Sequence, residues 1–171
     1  MKKKKILVIG KNGLISSHIF DFLKKRKNLI VKKTSFKQLN QSYLRLSKID
    51  YIISCASNNN FVNKSYKVNF DFDYLIAQKI KNSPTRLIII STRKVYKPGK
   101  NLKENSKILL NSNYSKNKYL SEIRIQKTLK KRYLILRLPN LLSLRTKKCK
   151  RKLHKTYLDL FIEKVNDGIV F

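Results

Sequence analysis

Apolar residues recur along the chain with two different periods. Ile6-Leu7-Val8-Ile9 is a short continuous run of mostly branched side chains, the pattern of a parallel strand buried on both faces. Gly10-Lys11-Asn12-Gly13 breaks it. Leu14, Ile15, Ile19, Phe22 and Leu23 then return at helical spacing, which predicts an amphipathic helix to about Lys25. Leu29-Ile30-Val31 and Tyr51-Ile52-Ile53-Ser54-Cys55 predict a second and a third strand, and Phe72, Leu75, Ile76 and Ile80 predict a helix over Val68 to Ile80. Leu87-Ile88-Ile89-Ile90 is the clearest strand of all, and a polar loop with Pro98 and Gly99 follows. A helix is expected from Tyr114 to about Lys130, then a fifth strand at Tyr133-Leu134-Ile135-Leu136, stopped near Pro139. Strands alternating with helices predict an α/β fold: a doubly wound parallel sheet covered on both faces.

After Asn140 the texture changes. Arg145 to Lys155 holds eight basic residues in eleven, counting His154 with seven Lys and Arg. Tyr157, Leu158, Phe161, Ile162 and Val165 restore a helical pattern, Gly168 caps it, and Ile169-Val170-Phe171 looks like the start of a strand. The expected division is a first domain over 1–140 and the beginning of another region over 141–171.

Composition narrows the classes. The net charge is +32 over 171 residues, with 32 Lys but only 9 Arg. Phosphate neutralisation makes nucleic acid the first thought for such a charge. An apolar fraction of 42% nevertheless supports a real core. Asn occurs 16 times and Ile 19 times against 2 Ala, which points to AT-rich codon usage that raises Lys whatever the function. The low Arg share fits specific base contacts badly, and no helix-turn-helix, zinc or aromatic single-strand pattern is present. No specific nucleic-acid partner is therefore expected. Cys55 and Cys149 make no disulfide framework or zinc spacing, His18 and His154 fill no metal site, and no metal is expected. No apolar run approaches the roughly 20 residues of a membrane span. Ile6 to Ile9 is also too short for a signal-peptide core. A soluble cytoplasmic protein without a membrane span is expected.

Gly10-x-x-Gly13-x-x-Ser16 lies between a strand and a helix, the context a phosphate loop needs. Glycines permit close backbone approach, and the helix N-terminus offers free N–H groups and a favourable dipole to a pyrophosphate. Gly10, Asn12, Gly13, Leu14 and Ile15 are the candidate contacts of a dinucleotide; the competing reading is a plain strand-to-helix turn. The third position, usually Gly, is Ser16, still small enough to pack helix on strand. An acid at the end of the second strand would bind the ribose hydroxyls of NAD. Lys32, Lys33, Thr34 and Ser35 stand there instead, which leans slightly to NADP through Lys32, although Lys is abundant everywhere in this chain.

Tyr-x-x-x-Lys places a phenol and an ammonium on one helical face, where the cation favours the phenolate and the phenol can exchange a proton with a carbinol. With 9 Tyr and 32 Lys, about 1.7 such matches arise by chance, and the chain has two, Tyr96…Lys100 and Tyr114…Lys118. Pro98-Gly99 removes the first from any helix. The second opens a predicted helix and is followed by Glu122 one turn on. Ser91-Thr92 sits at the C-terminal end of the fourth strand, where doubly wound sheets place their crevice; ordinary strand-end capping is the competing reading.

These pieces, in this order, resemble the extended short-chain dehydrogenase/reductase superfamily, in particular its NAD-dependent epimerase/dehydratase group acting on nucleotide sugars. Gly10-Lys11-Asn12-Gly13-Leu14-Ile15-Ser16 resembles the glycine motif, and Asp50-Tyr51-Ile52-Ile53-Ser54-Cys55-Ala56-Ser57 the third strand and cofactor turn. Val68-Asn69 resembles the opening of the next helix. Ile90-Ser91-Thr92-Arg93-Lys94-Val95-Tyr96 is similar to the hydroxyl-bearing stretch, and Glu104 falls where the family often has an acid. Tyr114 to Glu122 is similar to the Tyr-x-x-x-Lys helix, and Arg137-Leu138-Pro139-Asn140 to the stretch near the nicotinamide.

The resemblance implies a Rossmann-like NAD(P)-binding domain with Thr92, Tyr114 and Lys118 catalytic. It implies cofactor contacts at Gly10, Asn12, Gly13, Leu14, Ile15, Lys32, Cys55, Ala56, Ser57, Ser91, Tyr114, Lys118, Pro139 and Asn140. It further implies NAD or NADP as cofactor, a nucleotide-sugar or related sugar as substrate, and a homodimer paired through the Tyr-Lys helix. Family members run to about twice this length. The expectation is thus an epimerase, dehydratase or reductase of fragmentary or minimal size, with a non-catalytic NAD(P)-binding module as the alternative.

Overall fold

The computed structural model describes residues 2–41 and 46–139. Asn140, the basic run after it and the closing helix-and-strand pattern lie outside the described residues. Within them run β1 (Lys4–Ile9), α1 (Leu14–Lys24), β2 (Leu29–Thr34), α2 (Phe36–Gln41), β3 (Tyr51–Ser54), α3 (Asn59–Asn63), α4 (Phe72–Ile80), β4 (Arg86–Thr92), α5 (Asn113–Leu129) and β5 (Tyr133–Leu138). The strands form one sheet in the order β2-β1-β3-β4-β5, with every pairing parallel. The predicted α/β class is therefore the observed one.

Coverage of both sheet faces explains the continuous apolar strands. Ile6, Val8 and Ile53 pack toward Ile19 and Leu23 of α1. Leu7, Ile9, Ile52, Leu87 and Ile89 pack on the other face against Ile76, Ala77 and Ile80 of α4 and Ile125 and Leu129 of α5. A strand with helices on both sides has no face left for polar residues. β2 lies at the sheet edge, where burial alternates, so Lys32 and Lys33 are tolerated and the strand runs to Thr34 by pairing with Leu7 to Ile9. The helix predicted from Val68 starts later. Val68–Phe70 is a 3-10 turn, and the Asp71 carboxylate caps α4 by accepting the Tyr74 N–H at 3.0 Å.

The strand order places the crevice. The chain leaves β1 for the edge strand β2, then crosses back past β1 to β3. The connections diverge at the C-terminal ends of β1 and β3, the switch point where open α/β sheets bind ligands. Among the described residues no helix is long and apolar enough to cross a membrane.

Candidate functional site

The glycine loop occupies that switch point. The Gly10 N–H donates to the Thr34 carbonyl and the Cys55 N–H to the Ile9 carbonyl, both at 2.8 Å, so the loop is held between the ends of β2 and β3. Gly10 has φ +132°, and a Cβ there would stand 3.2 Å from the Ser16 Cβ and 3.4 Å from the Cys55 carbonyl carbon. Ser16 is fully buried, and its hydroxyl bonds the Gly13 carbonyl at 2.9 Å and also contacts the Gly10 carbonyl. The residue that departs from the usual third glycine thus latches the loop from within. Gly13 is the N-cap of α1 in an extended conformation, and no side chain caps the first-turn N–H groups. Asn12 and Gly13 are exposed, and Leu14 and Ile15 are half-buried. A cradle that a Cβ would fill, at an uncapped helix N-terminus, fits a pyrophosphate.

Gly10→Ala is expected to cost about 1–3 kcal/mol of folding stability from backbone strain alone. Adding Ser16→Gly relieves the close contact but removes the Ser16 latch and puts a glycine into α1, so the double variant should be no more stable than the single one. Thermal melts of the single and double variants check this, and a single variant as stable as the parent would contradict the geometry.

At the end of β2, Lys33 turns inward: its Nζ donates to Ser17 Oγ at 3.3 Å and lies 5.1 Å from the Phe20 ring centroid. Lys32 points to the opposite face and is exposed. At the end of β3, Cys55 and Ala56 are half-buried and Ser57 is exposed. Burial, then repulsion from Asp73, pushes the Cys55 thiol up to about 12, against a smaller opposing pull from Lys118. It stays protonated near neutral pH, which makes it a poor nucleophile.

α5 brings the Tyr-x-x-x-Lys pair to the end of β4. A reciprocal Ser112–Ser115 capping box starts the helix, which puts Tyr114 in its first turn and Lys118 one turn later. Asn117 Nδ2 donates to the carbonyls of Phe61 and Lys64 at 2.7 and 2.8 Å, tying the C-terminal end of α3 to α5. That seats the Phe61 ring 5.7 Å from Lys118 Nζ. Tyr114 is half-buried, and Lys118 is only 4% exposed. Lys118 Nζ donates at 2.9 Å to Asp73 Oδ2 and at 2.9 Å to the Ile90 carbonyl, two residues before Thr92. Burial works against the Lys118 charge, but Asp73 and then Tyr114 outweigh it, so its pKa lies above the ordinary lysine value.

Sequence reasoning missed Asp73. Its other oxygen accepts the Ser54 hydroxyl at 2.5 Å. Asp71, equally missed, accepts from Tyr66 Oη at 2.7 Å and Ser121 Oγ at 2.9 Å besides capping α4. Burial, then repulsion from Asp73, raises the Asp71 pKa. A signal was available: two of only 9 acids in the chain fall within three positions at a helix start.

Ser91 and Thr92 are buried at the end of β4. The Ser91 hydroxyl donates to Glu122, which pairs through Oε2 with Arg137 at 2.5 Å, and Arg137 stacks 4.7 Å above the Tyr96 ring. Thr92 Oγ1 accepts the Lys94 N–H at 3.2 Å and caps the turn Arg93–Val95. The capping reading therefore holds for Thr92, whose hydroxyl proton is not consumed by that bond. Tyr96, of the discarded Tyr-x-x-x-Lys match, is extended and pairs with Ile108 off any helix. Pro139 follows β5 and is exposed.

Residues 6–169 match the family described as the NAD dependent epimerase/dehydratase family. Among solved structures, a dTDP-4-dehydrorhamnose reductase from Clostridium acetobutylicum superposes with a TM-score of 0.72 at 20% identity, covering 95% of this chain and 60% of that one. The Bacillus anthracis dTDP-4-dehydrorhamnose reductase in complex with NADP gives 0.71 at 16% identity, covering 96% of this chain and 60% of that one. A UDP-glucuronic acid 4-epimerase from Bacillus cereus in complex with NAD gives 0.59 at 19% identity, covering 80% and 56%. At these identities the likeness is one of fold. The chain spans about 60% of the length of these reductases. No curated protein matches the chain in sequence.

Proposed function

Because the chain belongs to the NAD dependent epimerase/dehydratase family, we propose that it binds NAD or NADP and acts as an epimerase, dehydratase or reductase on a nucleotide sugar or related sugar. The observation that carries this reading is the buried Lys118, anchored to the end of β4 one helical turn from Tyr114. The bound nicotinamide would supply hydride chemistry. Gly10, Gly13 and the first-turn N–H groups of Leu14 and Ile15 would hold the pyrophosphate, with Cys55 and Ala56 walling the dinucleotide. Tyr114 Oη would exchange its proton with the sugar oxygen, stabilised by the Lys118 cation as the proton leaves. Thr92 would donate its hydroxyl to that same oxygen. Exposed Lys32 and the lack of an acid on β2 lean the choice toward NADP.

Titration with NADPH and NADH, read by nicotinamide fluorescence, is expected to show binding, with NADPH the tighter. Binding of neither would overturn the reading. Turnover with a panel of nucleotide sugars then tests catalysis. A second reading, a non-catalytic NAD(P)-binding module, is favoured by Thr92 Oγ1 serving as the cap of the turn Arg93–Val95. It predicts cofactor binding without turnover.

A further inference from the structure

Lys118 carries a buried carboxylate partner whose contacts go beyond what the Tyr-x-x-x-Lys arrangement requires. Asp73 is 3% exposed and Lys118 4%, with Nζ and Oδ2 2.9 Å apart. The other Asp73 oxygen is held by Ser54 Oγ at 2.5 Å, so the carboxylate cannot swing away. We propose that Asp73 is a positioning residue that keeps Lys118 a fixed, permanently charged ammonium beside Tyr114, across a pH range in which an unpaired buried lysine would turn neutral. This rests on the reading of Lys118 given above.

A buried ammonium without a counter-ion sheds its proton readily, because burial disfavours the charged form. The groups facing Lys118 come from several elements. Asp73 lies on α4 and Asp71 at its cap; Tyr114 is on α5, and Cys55 stands at the end of β3. From β4 comes the Ile90 carbonyl and from α3 the Phe61 ring, neither of which carries a charge. Asp71 is a poor substitute counter-ion. Its carboxylate is shared among the Tyr74 N–H, the Tyr66 hydroxyl and the Ser121 hydroxyl. Cys55 keeps its proton. That leaves Asp73 as the charge that balances Lys118. The geometry also limits Lys118: two of its three N–H bonds go to Asp73 and Ile90, leaving one for a phenol or a ribose.

The test follows the 13Cε shift of Lys118 against pH in lysine-labelled protein, with the signal assigned through Lys118→Arg. In the parent, Lys118 should titrate above the ordinary 10.5. Asp73→Asn keeps the shape and the Ser54 contact but removes the charge, and should lower the midpoint by at least about one unit. Asp73→Glu should restore most of it. NADPH affinity of Asp73→Asn should then fall on the alkaline side with that same midpoint, where the parent holds steady. An equal midpoint in the parent and Asp73→Asn overturns the proposal. Should Asp73→Asn fail to fold, a parent midpoint below 10.5 overturns it just as well. The titration needs no cofactor, so a parent that binds no NADPH sinks the proposed function while the Lys118 midpoint still decides on Asp73.

Discussion

On the proposed function, Tyr114→Phe is expected to lower turnover of a sugar by about 10²- to 10⁴-fold, the range general acid–base catalysis supplies, while cofactor affinity changes little. The expectation follows from where the phenol sits. Tyr114 lies in the first turn of α5, half-buried, and its ring is retained in the variant, so the change is confined to one oxygen. The capping box of Ser112 and Ser115 sets the start of the helix without any help from the phenol. A loss borne by kcat would mark a group whose contribution appears in the transition state, whereas a rise in KM alone would mark a binding contact. Steady-state kinetics on the nucleotide sugar identified by the panel, beside fluorescence titration of the cofactor, makes the distinction. Unchanged kcat would remove Tyr114 from the chemistry and assign the proton transfer to another group.

Glu122→Ala should destabilise the fold by about 2–3 kcal/mol, the cost of deleting charge-assisted hydrogen bonds between a buried carboxylate and a half-buried guanidinium. Glu122 is 1% exposed. It receives Arg137 through both Nε and a terminal nitrogen, at 3.1 and 2.5 Å to Oε2, and it takes the Ser91 hydroxyl as well. Alanine would leave the Arg137 guanidinium and the Ser91 hydroxyl without that acceptor, at the point where β4, β5 and α5 meet. Typical domains are stable by about 5–15 kcal/mol, so the loss is a large fraction of the total. Glu122→Gln keeps one acceptor and should fall between. Urea unfolding checks the order: the midpoint should drop with an unchanged slope. A loss below about 1 kcal/mol would class the pair with exposed salt bridges.

Much of the architecture was legible in local pattern. Ile6 to Ile9 reads as a buried strand because helices on both faces abolish the polar alternation that an exposed face would impose. Gly10 and Gly13 read as a loop because the strand period ends and the helix period begins across them, and the structure finds Gly10 at a φ that favours glycine. Tyr114 and Lys118 emerged from a lysine-rich background because Pro98-Gly99 disqualified the rival match. The length of β2 was less legible. Lys32 and Thr34 look like loop, yet a sheet edge accepts polar side chains so long as the backbone pairs.

What local pattern could not carry were the partners. Lys118 meets Asp73 across 45 positions, Asn117 meets Phe61 across 56, and Ser91 meets Glu122 across 31. Each pairing depends on the strand order β2-β1-β3-β4-β5, which sets α4 beside α5 and β4 between β3 and β5. Hydrophobic period and turn residues state what a segment is, because they reflect its own backbone and its own buried face. They do not state which buried carboxylate an ammonium will find. That choice follows from the packing of distant elements, where a charge removed from water must be matched by whatever group the topology delivers.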